Sequence, residues 1–160
     1  MAVDMFLKLD GIKGESKDHK HKDEIHIESF TWGLSQTGTF GSAGGGGAGK
    51  VNVHDISITK ALDKSTPSLM LMCCNGKHIK EGLITVRKAG EKPLEYLKIK
   101  LQDILVSGVQ HSGSSGGDLL SEALSLNFAK FQMEYQEQQA DGSGQKAGEM
   151  GWDTKANQKL

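Results

Sequence analysis

The sequence has little of several features that would assign it quickly to a functional class. Only two of its 160 residues are cysteine, two are proline, and aromatic residues make up 6%. The cysteines are neighbours, Cys73 and Cys74, which excludes a disulfide framework and lacks the two-residue gap of a zinc knuckle. Because free cysteine is usually interior, we expect both thiols to be buried.

The chain also has no excess of charge of either sign and no long apolar run. Nineteen basic and twenty acidic residues give a net charge of -1, so no surface is expected that neutralises a nucleic-acid backbone. No stretch approaches the roughly 20 apolar residues that a membrane-spanning helix needs. Asp4 and Lys8 interrupt the apolar start, so no secretory signal is predicted. We expect a soluble single domain, residues 1–160, that is made in the cytoplasm.

Apolar and polar residues alternate with a period of two along much of the chain, which predicts half-buried strands. The apolar phase slips by one residue after Glu28, around His54 and Asp55, and between Phe128 and Phe131, and each slip predicts a β-bulge. Repeated bulges bend a sheet, so we expect a mainly β fold, either a barrel or a tight two-sheet sandwich. The predicted strands lie at residues 3–9, 25–36, 51–58, 83–87, 94–101, 104–109 and 119–135.

One segment departs from the β pattern and predicts a single short helix. Ser65 offers a hydroxyl N-cap, Pro67 falls in the first turn, and Gly76 supplies the stop. The apolar residues between them are consecutive and form no single stripe. We therefore expect the helix to be largely covered, either by the barrel or by a neighbouring subunit.

Three segments are expected to leave the strands because each is too polar for the core: residues 11–23, 38–50 and 112–118. After about residue 136 the chain is polar again, and a tail with at most a short terminal strand is predicted. The second segment is rich in glycine, the residue that loses the most conformational freedom when it is ordered. Composition leaves two interpretations of that segment equally open, a spacer and an arm that becomes ordered against a partner.

Residues 44–50 match the G-x-x-x-x-G-K core of a phosphate-binding loop. Val51 stands where a Ser or Thr should hold magnesium, and the alternation after it predicts a strand instead of the required helix. His54, His78 and His111 are scattered and suggest no catalytic arrangement with a nucleophile. We therefore predict no nucleotide cofactor, no catalytic residue and no enzymatic activity, although a nucleotide-binding enzyme remains one class to be tested.

One cluster of residues has the composition of a metal site. His19, His21 and His26 lie close in sequence to Asp18 and Asp23, and imidazole and carboxylate groups at such spacing can share an ion. No second cluster with matching spacing lies nearby. The favoured interpretation is a solvated, charged loop, and no metal ion is predicted.

Several stretches occur in the order and at the spacing of one family: residues 3–8, 11–16, 31–33, 49–51, 59–60, 63–67, 87–90, 95–96 and 126–129. Through them the chain resembles, along nearly its whole length, the haemolysin-coregulated proteins (Hcp), the tube subunits of type VI secretion systems. The resemblance implies a two-sheet β-barrel with one flanking helix, assembling head to tail into a hexameric ring with a wide pore. It also implies that rings stack into a tube inside a contractile sheath, behind a spike, and are exported without a signal peptide while carrying effectors in the lumen. A monomeric small β-barrel that binds a ligand is the alternative.

Ring closure needs two different complementary surfaces on each subunit. The glycine-rich loop is the predicted candidate for one of them. Its interface residues are Gly41, Gly44, Gly45, Gly46, Gly47, Gly49 and Lys50.

The strand at residues 25–36 is predicted to separate core from lumen. Alternation directs Phe30, Trp32 and Leu34 to the core. The opposite face is polar and is predicted to line the pore. It carries Ser29, Thr31, Gly33 and Ser35, of which the three hydroxyl residues are the predicted cargo-facing set.

Overall fold

The computed structural model describes residues 2–38, 40–41 and 49–160, and in these it contains eleven strands and one helix. The elements are β1 Val3–Leu9, β2 Ile25–Ile27, β3 Ser29–Thr31, β4 Leu34–Ser35, β5 Asn52–Val53, β6 Ile56–Ala61, α1 Thr66–Asn75, β7 Ile79–Lys88, β8 Leu94–Ser112, β9 Ser121–Gln138, β10 Gly144–Asp153 and β11 Gln158–Lys159. The mainly β fold with one short helix is confirmed.

Nine strands pair into one antiparallel sheet in the order β11-β10-β9-β8-β7-β1-β2, with β6 added to β9 and β3 added to β6. Strand β9 is long enough to serve three neighbours. It pairs with β8 on one side, while on the other side its first part pairs with β6 and its second part with β10. Strands β4 and β5 form a separate two-stranded sheet.

The closed barrel is not found, since the strand pairs of the described chain do not complete a ring. Strand β2 pairs with β1, whereas β3 pairs with β6, and Glu28 separates β2 from β3. The Glu28 amide donates a hydrogen bond to the Thr59 carbonyl oxygen at 2.8 Å. The two ends of the curved sheet therefore meet at consecutive residues, and the phase slip predicted after Glu28 is where the pairing changes partner.

The β-bulges predicted at the three slips are not found, because the register shifts of the described strands lie elsewhere, at Val86/Arg87, Val106/Gly108 and Lys146/Gly148. The other two slips mark irregularities of a different kind. His54 and Asp55 separate β5 from β6. Strand β9 remains continuous, but its alternation changes phase at Ala129, which is buried directly beside Phe128. At the same level of β8, Asp103 has a φ of 53°. The two strands predicted at 94–101 and 104–109 are consequently one strand with a local irregularity.

A single hydrophobic cluster fills the space inside the curved sheet. Its fully buried members come from most of the large sheet: Leu7, Ile25, Ile56, Ile84, Ile99, Leu101, Ile104 and Leu126. Trp32 packs edge-on against Phe131, with ring centroids 4.9 Å apart, and Phe30 also contacts the cluster. The core orientation predicted for Leu34 is wrong, because the chain has left the large sheet there and this side chain is 47% exposed.

Helix α1 has the predicted ends. Ser65 is its N-cap residue, although its hydroxyl bonds the Asp63 carboxylate and caps no helical amide. Gly76 adopts the left-handed conformation at φ 66°, and its amide donates to the Met72 carbonyl oxygen at 3.0 Å. Within the described ranges no helix is long and apolar enough to cross a membrane.

Of the two coverings predicted for α1, the one by its own sheet is wrong, and the one by a neighbouring subunit stays a prediction. Only Thr66 and Leu69 are buried on this helix. Cys73 and Cys74 are both exposed, so the prediction of buried thiols is also wrong. The reason is that the sheet reaches only one side of the helix, where Leu69 joins the core cluster.

Two segments that looked too polar to fold are ordered parts of the structure. In residues 11–23, Ile12, Ser16 and His21 are buried. In place of a tail after residue 136, β10 extends the sheet and Trp152 packs against the core. Strand β10 escaped detection because its first seven residues are all exposed, so no alternation marks them. Residues 112–118 are exposed, as predicted.

A buried cluster of charges joins the start of α1 to the sheet. Lys60 on β6 and Glu122 on β9 are fully buried and form an ion pair. The Lys60 ammonium also donates to Asp63 Oδ1 at 3.0 Å, and the Thr66 hydroxyl lies 3.3 Å from Glu122 Oε2. His111 Nε2 lies 2.9 Å from the other Glu122 oxygen. Each charge is compensated by partners from other elements, which is the condition under which burial of charge is tolerated.

Replacing Lys60 by Met should destabilise the protein by about 3–5 kcal/mol, because Glu122 would remain buried without its cation. The double variant Lys60→Met/Glu122→Leu should recover most of this loss, since an apolar pair of similar volume leaves no buried charge. Urea unfolding of the three proteins measures the difference. If Lys60→Met is as stable as the double variant, the loss of the Lys60–Glu122 ion pair does not account for the change in the free energy of unfolding.

Candidate assembly surfaces

The glycine-rich segment is held at both ends by a short hairpin. Leu34–Ser35 pairs with Asn52–Val53 as β4 and β5. The Trp32 indole donates to the His54 carbonyl oxygen at 3.0 Å, and the His54 amide donates to the Gly33 carbonyl oxygen at 3.1 Å. The hairpin and the segment that it carries, residues 34–53, are called the arm below. Its base is fixed to the core through Trp32.

The predicted interface residues fall into two groups. Gly41, Gly49 and Lys50 lie in the described part and are exposed. The remaining four, Gly44, Gly45, Gly46 and Gly47, lie outside the described residues. Sequence reasoning missed Phe40, which is 92% exposed beside the glycine run. An aromatic side chain with that exposure is typical of a contact residue.

The predicted lumen residues are all exposed, but they do not share one sheet. Ser29 and Thr31 lie on the same exposed face of β3. Ser35 belongs to β4 in the arm, and its hydroxyl lies 3.0 Å from His54 Nε2. The structure therefore brings two of the three residues together and places the third apart.

Strand register extends that exposed face of β3 across four strands. Ser29 aligns with Thr59, Ala123 and Gln110, and Thr31 aligns with Ser57, Ser125 and Gly108. These eight residues are called the small-residue face, because all are uncharged and all but Gln110 are short. Each of these residues can be read in the sequence. Their alignment cannot, because it is set by pairing between strands that are far apart in the chain.

The charged residue at the border of this face is already hydrogen-bonded. Asp55 accepts a hydrogen bond from the Ser107 hydroxyl at 2.7 Å and another from the Asn127 amide at 2.7 Å. Both bonds use the carboxylate oxygens. These two neutral donors fix the orientation of the Asp55 carboxylate beside the small-residue face.

The outer face of β7, β8, β9 and β10 differs in character. It carries Lys98, Lys100, Glu134 and Glu149 around an open groove of about 400 Å³. Lys100 lies 3.9 Å from Glu81 and is 44% exposed. This surface, called the charged face, has long mobile side chains of both signs.

The loop at residues 11–24 contains the residues that were considered for a metal. His21 stacks on Phe6 with ring centroids 4.3 Å apart. Its Nδ1 lies 2.8 Å from Glu24 and its Nε2 lies 2.6 Å from Glu95 on β8. The expectation of a solvated loop is wrong here, because the buried imidazole holds the loop to the sheet through Nε2 and bonds Glu24 within the loop through Nδ1.

Asp18 holds the same loop through Arg87 on β7. The guanidinium donates to both Asp18 oxygens, at 3.1 and 2.6 Å, and to Asp4 at 3.1 Å. His19 and His26 are exposed. Over the ranges that the structure covers, no group of three or more His, Cys, Asp or Glu side chains is placed to hold a metal ion.

These contacts shift the acidity of two carboxylates. The hydrogen bond from Arg87 holds the pKa of Asp18 well below its ordinary value of 3.8. Burial acts to raise the pKa of Glu95, but the hydrogen bond and charge of His21, with Lys98 nearby, outweigh it and lower the pKa below 4.5. Both groups therefore favour the folded loop in their ionised forms.

The loop should become less stable in acid. Because both folded pKa values are depressed, the stabilisation is complete above the ordinary values of 3.8 and 4.5 and is lost as pH falls through the lower folded values. The hydrogen-exchange protection factors of the Gly14 and Ser16 amides, which bond the Asp23 and Glu24 carbonyl oxygens, should therefore fall in that range. Glu95→Gln should reduce the dependence of the melting temperature on pH, whereas Glu81→Gln on the charged face should not. Equal pH dependence in wild type and Glu95→Gln would contradict the assignment.

Comparison with known proteins gives a consistent family. The family described as "Type VI secretion system effector, Hcp" matches residues 6–135. Protein hcp1 of Pseudomonas aeruginosa is 51% identical over 144 residues, which cover 89% of each chain. The crystal structure of Hcp1 from Salmonella typhimurium aligns with a TM-score of 0.82 at 38% identity and covers both chains fully. A structure titled as a type six secretion system protein aligns with a TM-score of 0.94 at 28% identity, covering 99% of this chain and 100% of the other. The chain therefore belongs to the Hcp family of type VI secretion proteins.

Proposed function

We propose that this chain is a structural subunit of the inner tube of a type VI secretion system, forming stacked hexameric rings that carry effectors in the lumen. Family membership supports the general role. The observation that carries the finer proposal is the small-residue face, in which short hydroxyl and methyl groups cover four adjacent strands. Such a surface offers weak hydrogen bonds but no strong ion pairs or deep pockets. Cargo can bind to it modestly and still slide along it.

Ring closure is proposed to use the arm and a free strand edge. Strand β10 pairs with β9 on one side, whereas on its other side β11 pairs only with Trp152 and Asp153. Across the described chain, residues 144–150 thus have no strand partner on that side. An unpaired edge can accept backbone hydrogen bonds from an extended segment of a neighbour. Two different surfaces on each subunit satisfy the requirement for a closed ring, and the number six rests on the family resemblance.

The proposed role is mechanical. The histidine contacts, from the buried His21 to Glu24 and Glu95 and from the exposed His111 to the buried Glu122, tie structural elements together. Sheath, spike and effector proteins are the proposed partners. The subunit is proposed to be made in the cytoplasm and to leave the cell as part of the tube.

The interior argues against the alternative of a monomeric ligand-binding barrel. A ligand site inside a small sheet requires an open, lined cavity. Here the interior is occupied by closely packed side chains, among them Ile99, Leu101 and Phe131, which are at most 2% exposed. The exposed faces are therefore the better candidates for binding.

Deleting Gly44 to Gly47 should weaken ring formation, because the shortened arm can no longer reach its neighbour. Size-exclusion chromatography with light scattering measures the loss of ring mass. Deleting Gly116 and Gly117, which lie in a different exposed loop, is the matched control and should leave the rings intact. Full rings from the first deletion would show that the arm is not the interface.

Thr31→Gln should change cargo retention without changing ring mass. Altering about one hydrogen bond per subunit, ~1 kcal/mol, corresponds to about a fivefold change in binding. Effectors that co-purify with the rings are measured by quantitative mass spectrometry, with Lys100→Gln on the charged face as the control. If every effector is retained equally by Thr31→Gln and wild type, the small-residue face does not contact cargo.

A further inference from the structure

Three sulfur-bearing side chains share one exposed face of α1. Cys73 and Cys74 are exposed free thiols, and Met70 is 45% exposed. At about 3.6 residues per turn, Cys73 lies about 60° around the helix to one side of Met70, and Cys74 lies about 40° to the other side. Residues three and four apart on a helix are direct neighbours, with Cβ atoms about 5–6 Å apart. The three sulfur atoms can therefore converge on one point.

The chemistry of this group selects a soft cation. Thiolates bind both zinc and Cu(I), but structural zinc sites take four ligands from Cys, His, Asp and Glu, whereas the soft thioether of a methionine is suited to Cu(I). Within the residues that the structure covers, no metal-holding group of three or more His, Cys, Asp or Glu side chains includes these cysteines. Two adjacent thiols and one thioether form a set of only soft ligands, three in number.

The end of the helix bears on the charge of the bound site. Both thiols lie in the last turn before Asn75, where the final carbonyl oxygens leave a partial negative charge that attracts the Cu(I) ion but opposes the two thiolates. This end is also the part of a helix that adjusts most easily, which helps neighbouring thiols to turn toward a common ligand. Lys77 follows Gly76, and its amide donates to the Asn75 side chain at 2.8 Å. Its positive charge can offset the net negative charge of one Cu(I) ion with two thiolates.

We propose that Met70, Cys73 and Cys74 form a three-coordinate Cu(I) site on the exposed face of α1. Binding converts two thiols to thiolates, forms three copper–sulfur bonds and releases two protons to solvent. Copper enters and remains as Cu(I), so no electron is transferred. The site shares no residue with the arm, with the free edge of β10 or with the small-residue face.

The test is an anaerobic titration of the reduced full-length chain with Cu(I) against a chromogenic Cu(I) chelator, bicinchoninate. We expect one copper per chain and two protons released per copper. Cys73→Ser and Cys74→Ser should each lose stoichiometric binding. Met70→Leu should weaken binding by about tenfold, the order seen when a supporting group of a metal site is removed.

Met72→Leu is the matched control, because Met72 lies on the opposite side of α1 and packs against the core. It should bind copper as the wild type does. Circular dichroism checks that each variant is folded, and light scattering records ring mass in the same samples. The double variant Cys73→Ser/Cys74→Ser gives the background level of copper binding. If the wild type forms rings but binds no more copper than this variant, the copper proposal is wrong and the proposed tube function is unaffected. One copper per two chains, or unchanged affinity in Met70→Leu, also overturns the copper proposal.

Discussion

The antiparallel pairing of β8 with β9 is the constraint on which the other features depend. These two strands are the longest in the described chain, and their register runs from Leu97 opposite Tyr135 to Ser112 opposite Ser121. Because β9 then pairs with β6 over its first part and β10 over its second, one hairpin supports both the small-residue face and the charged face. A shift of one residue in this register would move every core side chain of β9 to the outside.

The local irregularities in these strands have a consequence for the surfaces. Asp103 and Ala129 change the alternation of both strands at the same level, so the core is continuous while the exposed residues change character. On one side of this level the outer face carries lysines and glutamates, and on the other it carries Ser, Thr, Ala and Gly. The sheet thereby presents two surfaces with different binding properties on one curved layer.

Polar contacts of buried side chains hold the loop at residues 11–23 to this sheet and join distant strands. His21 hydrogen-bonds Glu95 and Arg87 pairs with Asp18, which hold the loop, while Arg87 with Asp4 and Lys60 with Glu122 join strands. Each pair joins residues that are far apart in the chain. The charged composition of residues 11–23 predicts a solvated loop. The residues that pair with these charges lie in distant strands, so the sequence of the loop does not reveal them. Removing a partner is costly, since a charge left alone in the interior loses its solvation without compensation.

The sequence by itself determined the elements whose signals are local. The alternation in β1, the phase slip after Glu28, and the Ser65, Pro67 and Gly76 signals of α1 all predict what the structure contains. Each depends on a few neighbouring side chains and on backbone preferences that act over short distances. The ordered match of many short stretches also identified the family.

Tertiary structure alone decided the features that need distant partners. Strand β10 is exposed on both faces over most of its length, so only its pairing with β9 reveals it. The exposure of Cys73 and Cys74 follows from how far the sheet reaches around α1, and the small-residue face follows from the register of four strands. Burial and register are properties of pairs of segments, and neither is written in the pattern of one segment.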